Sequence, residues 1–196
     1  MGRYDPAAMR RLPRLIVLAA MLACALLAAG CGNRVSERSQ TSTEGPYIDL
    51  DQLKYQVQIS RYLNPNDVED KTYLSGLPTG TPEPGGDETW FAVFMRVWNP
   101  GDKPAPAADS FEIVDTQGNT YTPVQQDPKI NPFAYVPGTV APKGLIPTPD
   151  SIASEGVIKQ GALVLFKIKT DSLQNRPLIL RFKHGNGTTA SVNLDV

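Results

Sequence analysis

The chain has few residues of the kinds that bind metals or act as nucleophiles and bases. Its 196 residues include one histidine, His184, and two cysteines, Cys24 and Cys31. A zinc or copper site needs several His, Cys or Met side chains close together, and a Ser-His-Asp triad would have to use the same histidine. No Gly-x-Ser-x-Gly segment and no glycine-rich phosphate loop accompanies it. We therefore expect no metal, no cofactor and no catalytic residues, with His184 in solvent beside a turn.

An excess of positive charge is also missing. The formal net charge of the whole sequence is −1, and it falls to about −4 if the leader described below is removed. A nucleic-acid-binding surface needs clustered lysine and arginine residues. The composition therefore argues against a nucleic-acid partner and against a polybasic membrane-surface patch.

Long hydrophobic runs are absent except for one near the start. Residues 15 to 29 carry no charge and follow the basic residues Arg10, Arg11 and Arg14. A membrane-spanning helix needs about 20 apolar residues, so this run is short for a span but suits the apolar region of a signal peptide. The small residues Ala28, Ala29 and Gly30 form a cleavage site, which predicts a signal peptide over residues 1 to 30.

Cys31 follows that cleavage site directly. The stretch Leu27-Ala28-Ala29-Gly30-Cys31 resembles the lipobox of bacterial lipoproteins, except that the aliphatic residue lies one position early. The resemblance implies lipidation of Cys31 and a protein anchored by its acyl chains to the outer face of the cell membrane. A secreted protein with a free Cys31 and an uncleaved signal anchor are the alternatives. With Cys31 acylated, no intramolecular disulfide can form.

Residues 34 to 46 are polar and rich in serine and threonine. Such a segment cannot build a core, so we interpret residues 31 to 46 as the lipidated cysteine and a disordered tether. Residues 47 to 196 are enough for one hydrophobic core and are expected to form one domain.

The domain has the pattern of an all-β protein. Residues 53 to 59 alternate strictly, which places Leu53, Tyr55, Val57 and Ile59 on one face of a strand. Residues 90 to 99, WFAVFMRVWN, are apolar on both faces, as in a strand covered on both sides. Further strands are predicted at 161 to 169, at 177 to 183 and from 190 on, with a hairpin turning at 117 to 119. About seven strands, joined by turns and two long irregular loops at 64 to 89 and 125 to 156, predict an antiparallel β-sandwich.

The order of these elements resembles a known family. A hydrophobic strand ends in Asn99 and a Gly-Asp-Lys-Pro turn, the strand FEIVD follows at 111 to 115, and a Gly-Asn-x-Tyr hairpin occupies 118 to 121. With the later segment SEGVIKQGALVLFKIK, this resembles the telokin-like, immunoglobulin-like domain of unknown function found in Gram-positive and actinobacterial lipoproteins. The resemblance covers about residues 50 to 194. It implies an extracytoplasmic immunoglobulin-like sandwich without catalytic residues, and this chain departs from it in a longer proline-rich stretch at 125 to 150.

Two further groups of residues have a structural and a functional interpretation. The acidic residues Asp67, Glu69 and Asp70 offer calcium-type oxygen ligands but lack the spacing of a known calcium loop, which favours a solvated loop. Trp90 and Trp98 lie on one face of a regular strand, where packing in the core is the default for both.

The proline-rich loop contains the candidate site for a partner. Phe133, Tyr135 and Ile146 are apolar residues in a segment that we predict is too rich in proline to pair in the sheet. They either cover the core of the sandwich or form an exposed surface for a protein or glycan partner. We favour a non-catalytic binding or accessory subunit of the cell envelope. An envelope hydrolase with an unidentified acidic site and a purely structural spacer are the alternatives.

Overall fold

The computed structural model describes residues 44 to 154 and 160 to 194. The predicted signal peptide, Cys31 and most of the predicted tether lie outside these residues. Within the described part, no helix is long and apolar enough to cross a membrane. The described residues form eleven strands and one α-helix, α1 (Val68–Tyr73). The strands are β1 (Ile48–Leu50), β2 (Leu53–Leu63), β3 (Glu88–Trp98), β4 (Ala105–Pro106), β5 (Ser110–Val114), β6 (Thr120–Tyr121), β7 (Thr139–Val140), β8 (Leu145–Ile146), β9 (Ala162–Lys169), β10 (Leu178–Lys183) and β11 (Ala190–Leu194).

Nine of the strands form two antiparallel sheets that face each other, and β4 pairs with β7 in a separate two-stranded sheet. The first sheet has the order β1-β2-β3-β9, with β8 pairing beside β3 beyond the end of β9. The second has the order β11-β10-β5-β6. Side chains from both sheets build one buried cluster, which includes Tyr55, Phe91 and Phe166 from the first and Ile113 and Phe182 from the second. The predicted antiparallel β-sandwich is therefore confirmed.

Strand β3 is buried on both faces, as its sequence predicts. Phe91, Val93, Met95 and Val97 face the second sheet. Trp90, Ala92 and Phe94 lie on the opposite face and belong to a second cluster. Trp90 is buried, whereas Trp98 on the same face is half-exposed.

A β-bulge in β2 changes the face of one predicted core residue. The pairing of β2 with β3 shifts between Val57 and Ile59. Because a bulge adds one residue on one strand, every later side chain is moved to the opposite face. Ile59 consequently lies opposite Phe94 and is 37% exposed. The expectation that Ile59 shares a face with Tyr55 and Val57 is wrong.

A third layer covers the outer face of the first sheet, and it is built from segments predicted to be loops. Helix α1 begins after Asp67, whose carboxylate accepts from the N–H groups of Glu69 and Asp70. Its Tyr73 packs edge-on against Phe94 and against Phe133 from the segment 125 to 156. A six-residue helix is too short to display a helical period, which is why the pattern did not predict it.

The segment 125 to 156 also pairs with two strands of the first sheet, β3 and β9. Leu145 and Ile146 in β8 pair with Trp98 and Val97. Backbone hydrogen bonds join Tyr135 N–H to Leu163 C=O and Leu163 N–H to Phe133 C=O, both at 2.7 Å. The prediction that this segment is too proline-rich to pair is therefore wrong. Its prolines lie between very short paired stretches at sheet edges, where a missing N–H can be tolerated.

Candidate functional site

His184 and the acidic residues do not converge on a site. His184 lies at the turn after β10, partly exposed, with its Nδ1 3.2 Å from a carboxylate oxygen of Asp109. Among the described residues, no three His, Cys, Asp or Glu side chains are grouped so that they could hold a metal ion.

The three carboxylates predicted for a solvated loop have separate structural roles. Asp67 caps α1, and Glu69 accepts a hydrogen bond from the Tyr73 hydroxyl at 3.1 Å. Asp70 is buried, 2.6 Å from an Arg61 guanidinium nitrogen, and it also accepts from Asn64 N–H at 2.7 Å. Burial raises the pKa of Asp70, but the bonds from Arg61 and Asn64 outweigh it and lower that pKa overall. The expectation of a solvated loop is wrong for Asp70.

Two polar residues of the family-like segment are buried and organise turns. The Asn99 side chain is fully buried, donates to Lys103 C=O and Val140 C=O, and accepts from Gly101 N–H. It therefore shapes the turn after β3 and ties it to β7. This role explains why an asparagine ends an otherwise apolar strand.

Asp115 is the centre of a second polar network. One carboxylate oxygen accepts from Gln117 N–H and Asn119 N–H, and the other accepts from the side chains of Asn119, Ser172 and Asn175. Burial raises the pKa of Asp115, but these hydrogen bonds hold it well below its usual range. Ser172 is buried and lies 2.6 Å from the Tyr121 hydroxyl. A substrate cannot reach the buried Ser172. Its contacts with Asp115 and Tyr121 instead fix the β5–β6 hairpin against the turn before β10.

The three predicted partner-binding residues are each partly buried against the core. Phe133 packs on the outer cluster beside Tyr73. Tyr135 packs on the inner cluster, its ring 5.0 Å from that of Phe111. Ile146 also contacts the inner cluster, from β8. The structure thus places them on two different faces of the first sheet and does not bring them together. A partner-binding role for their loop stays a prediction.

Other apolar residues of the same loop are exposed, although they were not among the predicted partner-binding residues. Ile130 is 61% exposed and Val136 is 50% exposed. The backbone beside each is held: Asn131 N–H donates to Asp127 C=O after Ile130, and Tyr135 N–H donates to Leu163 C=O before Val136. Ile130 precedes the buried Asn131, and Val136 follows Tyr135, which packs on the core. This position next to a packed residue is what the sequence offers to indicate their exposure.

A cleft of about 290 Å³ opens beside Val136, between β5 and β9. Its lining includes Phe111, Val124, Gln125, Tyr135, Pro137 and Leu165. Asp109, Ser110 and Thr122 add polar groups at its wall. This cleft, which we name the β5–β9 cleft, and the exposed Val136 beside it form the candidate site.

Comparisons with known proteins agree with the architecture. No family model and no curated protein matches the chain. The yjhA protein from Bacillus subtilis matches in structure with a TM-score of 0.50 and 11% identity, covering 79% of this chain and 100% of that one. The fold is a β-sandwich. A likeness at this identity concerns the fold alone, so membership of the telokin-like family stays a prediction.

Two more solved structures are similar at lower scores. An uncharacterized β-sandwich protein from Clostridium difficile 630 has a TM-score of 0.44 and 12% identity, over 82% of this chain and 98% of that one. The ycdA protein from Bacillus subtilis, described as a candidate lipoprotein, has a TM-score of 0.44 and 12% identity over 75% of this chain. The match spans 38% of that chain.

Proposed function

We propose that the protein is a lipid-anchored accessory subunit of the cell envelope, which binds another protein through the β5–β9 cleft and the exposed loop residue Val136. The observation that carries the proposal is the exposure of Val136 on a loop whose backbone is held on both sides, since Tyr135 N–H donates to Leu163 C=O and Ala107 N–H donates to Gly138 C=O. Rigid scaffolds commonly present binding residues in this way.

The anchor rests on the sequence around Cys31. Two or more acyl chains hold a protein on a membrane far more firmly than one, because each buried methylene contributes about 0.8 kcal/mol. Residues 32 to 43 separate Cys31 from the first described residue. Gly45, in the last part of the predicted tether, donates its N–H to Val57 C=O at 2.9 Å. The folded domain therefore begins close to the polar segment, which would connect it to a lipidated Cys31.

A protein partner is favoured over a glycan by the position of the aromatic rings. Sugar-binding sites commonly offer an aromatic face to the ligand, whereas Phe111 at this cleft is 8% exposed and Tyr135 packs on the core. The large apolar residues that the loop exposes, such as Val136, are aliphatic instead. Aliphatic side chains suit a protein surface that removes them from water.

The four carboxyl groups whose pKa is shifted do not favour the alternative of an envelope hydrolase. A general acid needs a pKa raised towards neutrality. The pKa values of Asp70, Glu88, Asp115 and Asp150 are all shifted downwards. For Glu88 the first cause is a hydrogen bond from the Gly85 backbone, and for Asp150 it is one from the Thr148 side chain.

The anchor is tested with a Cys31→Ala variant. The wild type should sediment with membranes and enter the detergent phase, and mass spectrometry of its N-terminal peptide should show acylated Cys31. The variant should leave the membrane fraction. Retention of the variant in the pellet, or an unmodified thiol on the purified wild type, would refute the anchor.

The binding surface is tested by photo-crosslinking in the native cell. A photoreactive amino acid at Val136 should capture one discrete protein, whereas the same residue at Val68 on α1, which is 82% exposed, should not. Equal capture at both positions, or capture at neither, would show that the loop is not the contact surface.

A further inference from the structure

The hairpin β5–β6 leaves part of β5 without a neighbouring strand. Ile113 pairs with Tyr121, and Asp115 N–H donates to Asn119 C=O at 3.1 Å. Because alternate residues of a strand bond to the same neighbour, the N–H and C=O of Phe111 point to the side on which β6 would continue. Strand β6 ends at Tyr121, however, and no hydrogen bond joins these two groups to another residue of the described ranges.

The chain after β6 crosses to the other sheet instead. Pro123 bridges to Phe166, and Val124 N–H donates to Leu165 C=O at 2.8 Å. Pro123 occupies the position that would face Phe111 if β6 continued, and proline has no N–H to donate to a carbonyl. The divergence of 122 to 124 from β5 opens the β5–β9 cleft, which both Phe111 and Pro123 line.

We infer that the β5–β9 cleft takes an extended segment of a partner protein, which adds to β5 as a short strand and hydrogen-bonds to the N–H and C=O of Phe111. Strand addition to an open sheet edge is a general mode of peptide recognition, in which main-chain bonds give affinity and flanking pockets give specificity. This inference rests on the proposed binding function and specifies its mode.

The size and borders of the cleft support a passing chain rather than an enclosed small molecule. Its volume of about 290 Å³ is at the lower end of small-molecule pockets, which hold about 300 to 1,000 Å³. A short extended stretch of peptide would fill it, and the peptide residues next to that stretch would reach the exposed Val136 on one side. Pro137 and Pro123 border the cleft. Because proline has no N–H to donate, β5 is the border of the cleft that can pair with an added strand.

The inference is tested by selecting a displayed library of random linear dodecapeptides on the immobilised full chain. Selected peptides should bind with their main chain, so N-methylation of the alternate amides that face β5 should weaken binding at least tenfold, while N-methylation of the intervening amides should not. In ¹⁵N spectra, binding should shift the amide of Phe111 and slow its exchange with solvent.

A pair of tryptophan variants locates the binding. Gln125 is exposed and lines the cleft, whereas Gln52 is exposed at the β1–β2 turn and does not line it. The variant Gln125→Trp should weaken peptide binding at least tenfold and Gln52→Trp should leave it unchanged, provided that both unfold at the wild-type temperature. A library without enriched peptides, binding that survives Gln125→Trp, or shifts at Phe111 with oligomers of N-acetylglucosamine alone would overturn strand addition.

These outcomes separate this inference from the proposed function. Capture of a protein at Val136 that persists in the Gln125→Trp variant would preserve the accessory function and overturn strand addition. Selected peptides that pass the N-methylation test and the Gln125→Trp test would support strand addition in the cleft. If no protein is captured at Val136 in cells as well, the proposed accessory function would be refuted.

Discussion

Tyr55 and Tyr135 bind the two backbone groups of a single residue, Ala108. The Ala108 N–H donates to the Tyr55 hydroxyl at 2.8 Å, and the Tyr135 hydroxyl donates to Ala108 C=O at 3.0 Å. Tyr55 belongs to β2 in the first sheet, whereas Ala108 leads into β5 in the second. Burial raises the pKa of Tyr55 to about 12 and that of Tyr135 well above its usual value. Both phenols therefore stay protonated near neutral pH. Through Ala108 they join the segment 125 to 156 and the first sheet to the chain that leads into β5.

Replacing either phenol should lower the free energy of unfolding. Tyr135→Phe should cost about 1 kcal/mol, the usual net value of one hydrogen bond. Tyr55→Phe should cost about 2 kcal/mol, because it leaves a buried N–H without a partner. Urea denaturation measures both. Tyr62→Phe is the control, since Tyr62 is 60% exposed, and a loss as large as that of Tyr55→Phe there would contradict the assignment.

The Asp115 network should make stability depend on acid pH. The folded-state pKa of Asp115 is lowered, so its contribution is fully present above the unfolded pKa of about 3.9 and is lost as the pH falls towards the folded value. Asp115→Asn should lower the unfolding temperature at pH 7, and the difference from the wild type should shrink between pH 4 and pH 2. Thermal scans across this range measure it.

The control for this pH dependence is Asp171→Asn on the neighbouring turn. Asp171 is exposed, and its side chain is outside the Asp115 network. This variant should follow the wild-type profile throughout. The unfolding temperatures of the wild type and of Asp115→Asn could instead differ by a constant amount from pH 7 to pH 2. That result would show that the Asp115 carboxylate does not stabilise the hairpin.

The pair Arg61–Asp70 should hold α1 against the first sheet. Arg61→Met leaves the buried Asp70 carboxylate without its cation, which should cost about 3 kcal/mol. Arg61→Met combined with Asp70→Asn removes the uncompensated charge while retaining an acceptor for Asn64 N–H. The double variant should therefore recover at least half of the loss in urea denaturation. A double variant less stable than Arg61→Met alone would contradict this account.

The hydrophobic pattern of the sequence predicted the long strands correctly. The alternation around Tyr55, the two-sided apolar run at Phe94 and the strand ending at Lys169 were all predicted within a few residues. The face of Ile59 was not, because a bulge changes the pairing of strands without changing their composition. The outer layer was also missed, since Tyr73 and Phe133 meet only after the sheet has formed.

The candidate site was predicted less well for a related reason. Aromatic residues in a loop, such as Phe133 and Tyr135, were the predicted candidates for binding a partner. Their large apolar surface instead favours burial against the core of the sandwich. Ile130 and Val136 are exposed because the backbone bonds of their neighbours fix the loop in one orientation. Those bonds involve Asp127 and Leu163, and no local pattern in the sequence indicates them.

The contact between the two long loops should depend on the absence of a side chain at Gly76. Asp127 N–H donates to Gly76 C=O at 2.7 Å, and a Cβ at Gly76 would lie 2.8 Å from Asp127 C=O. Gly80 is a matched control, because its φ of +84° is close to the +70° of Gly76 but a Cβ there would meet nothing within 4 Å. Gly80→Ala should cost about 1 kcal/mol from backbone strain alone. Gly76→Ala should cost distinctly more, with faster amide exchange at Asp127 and Asn131. Equal losses in urea denaturation would show that strain alone explains both variants and that the loops are not held together at Gly76.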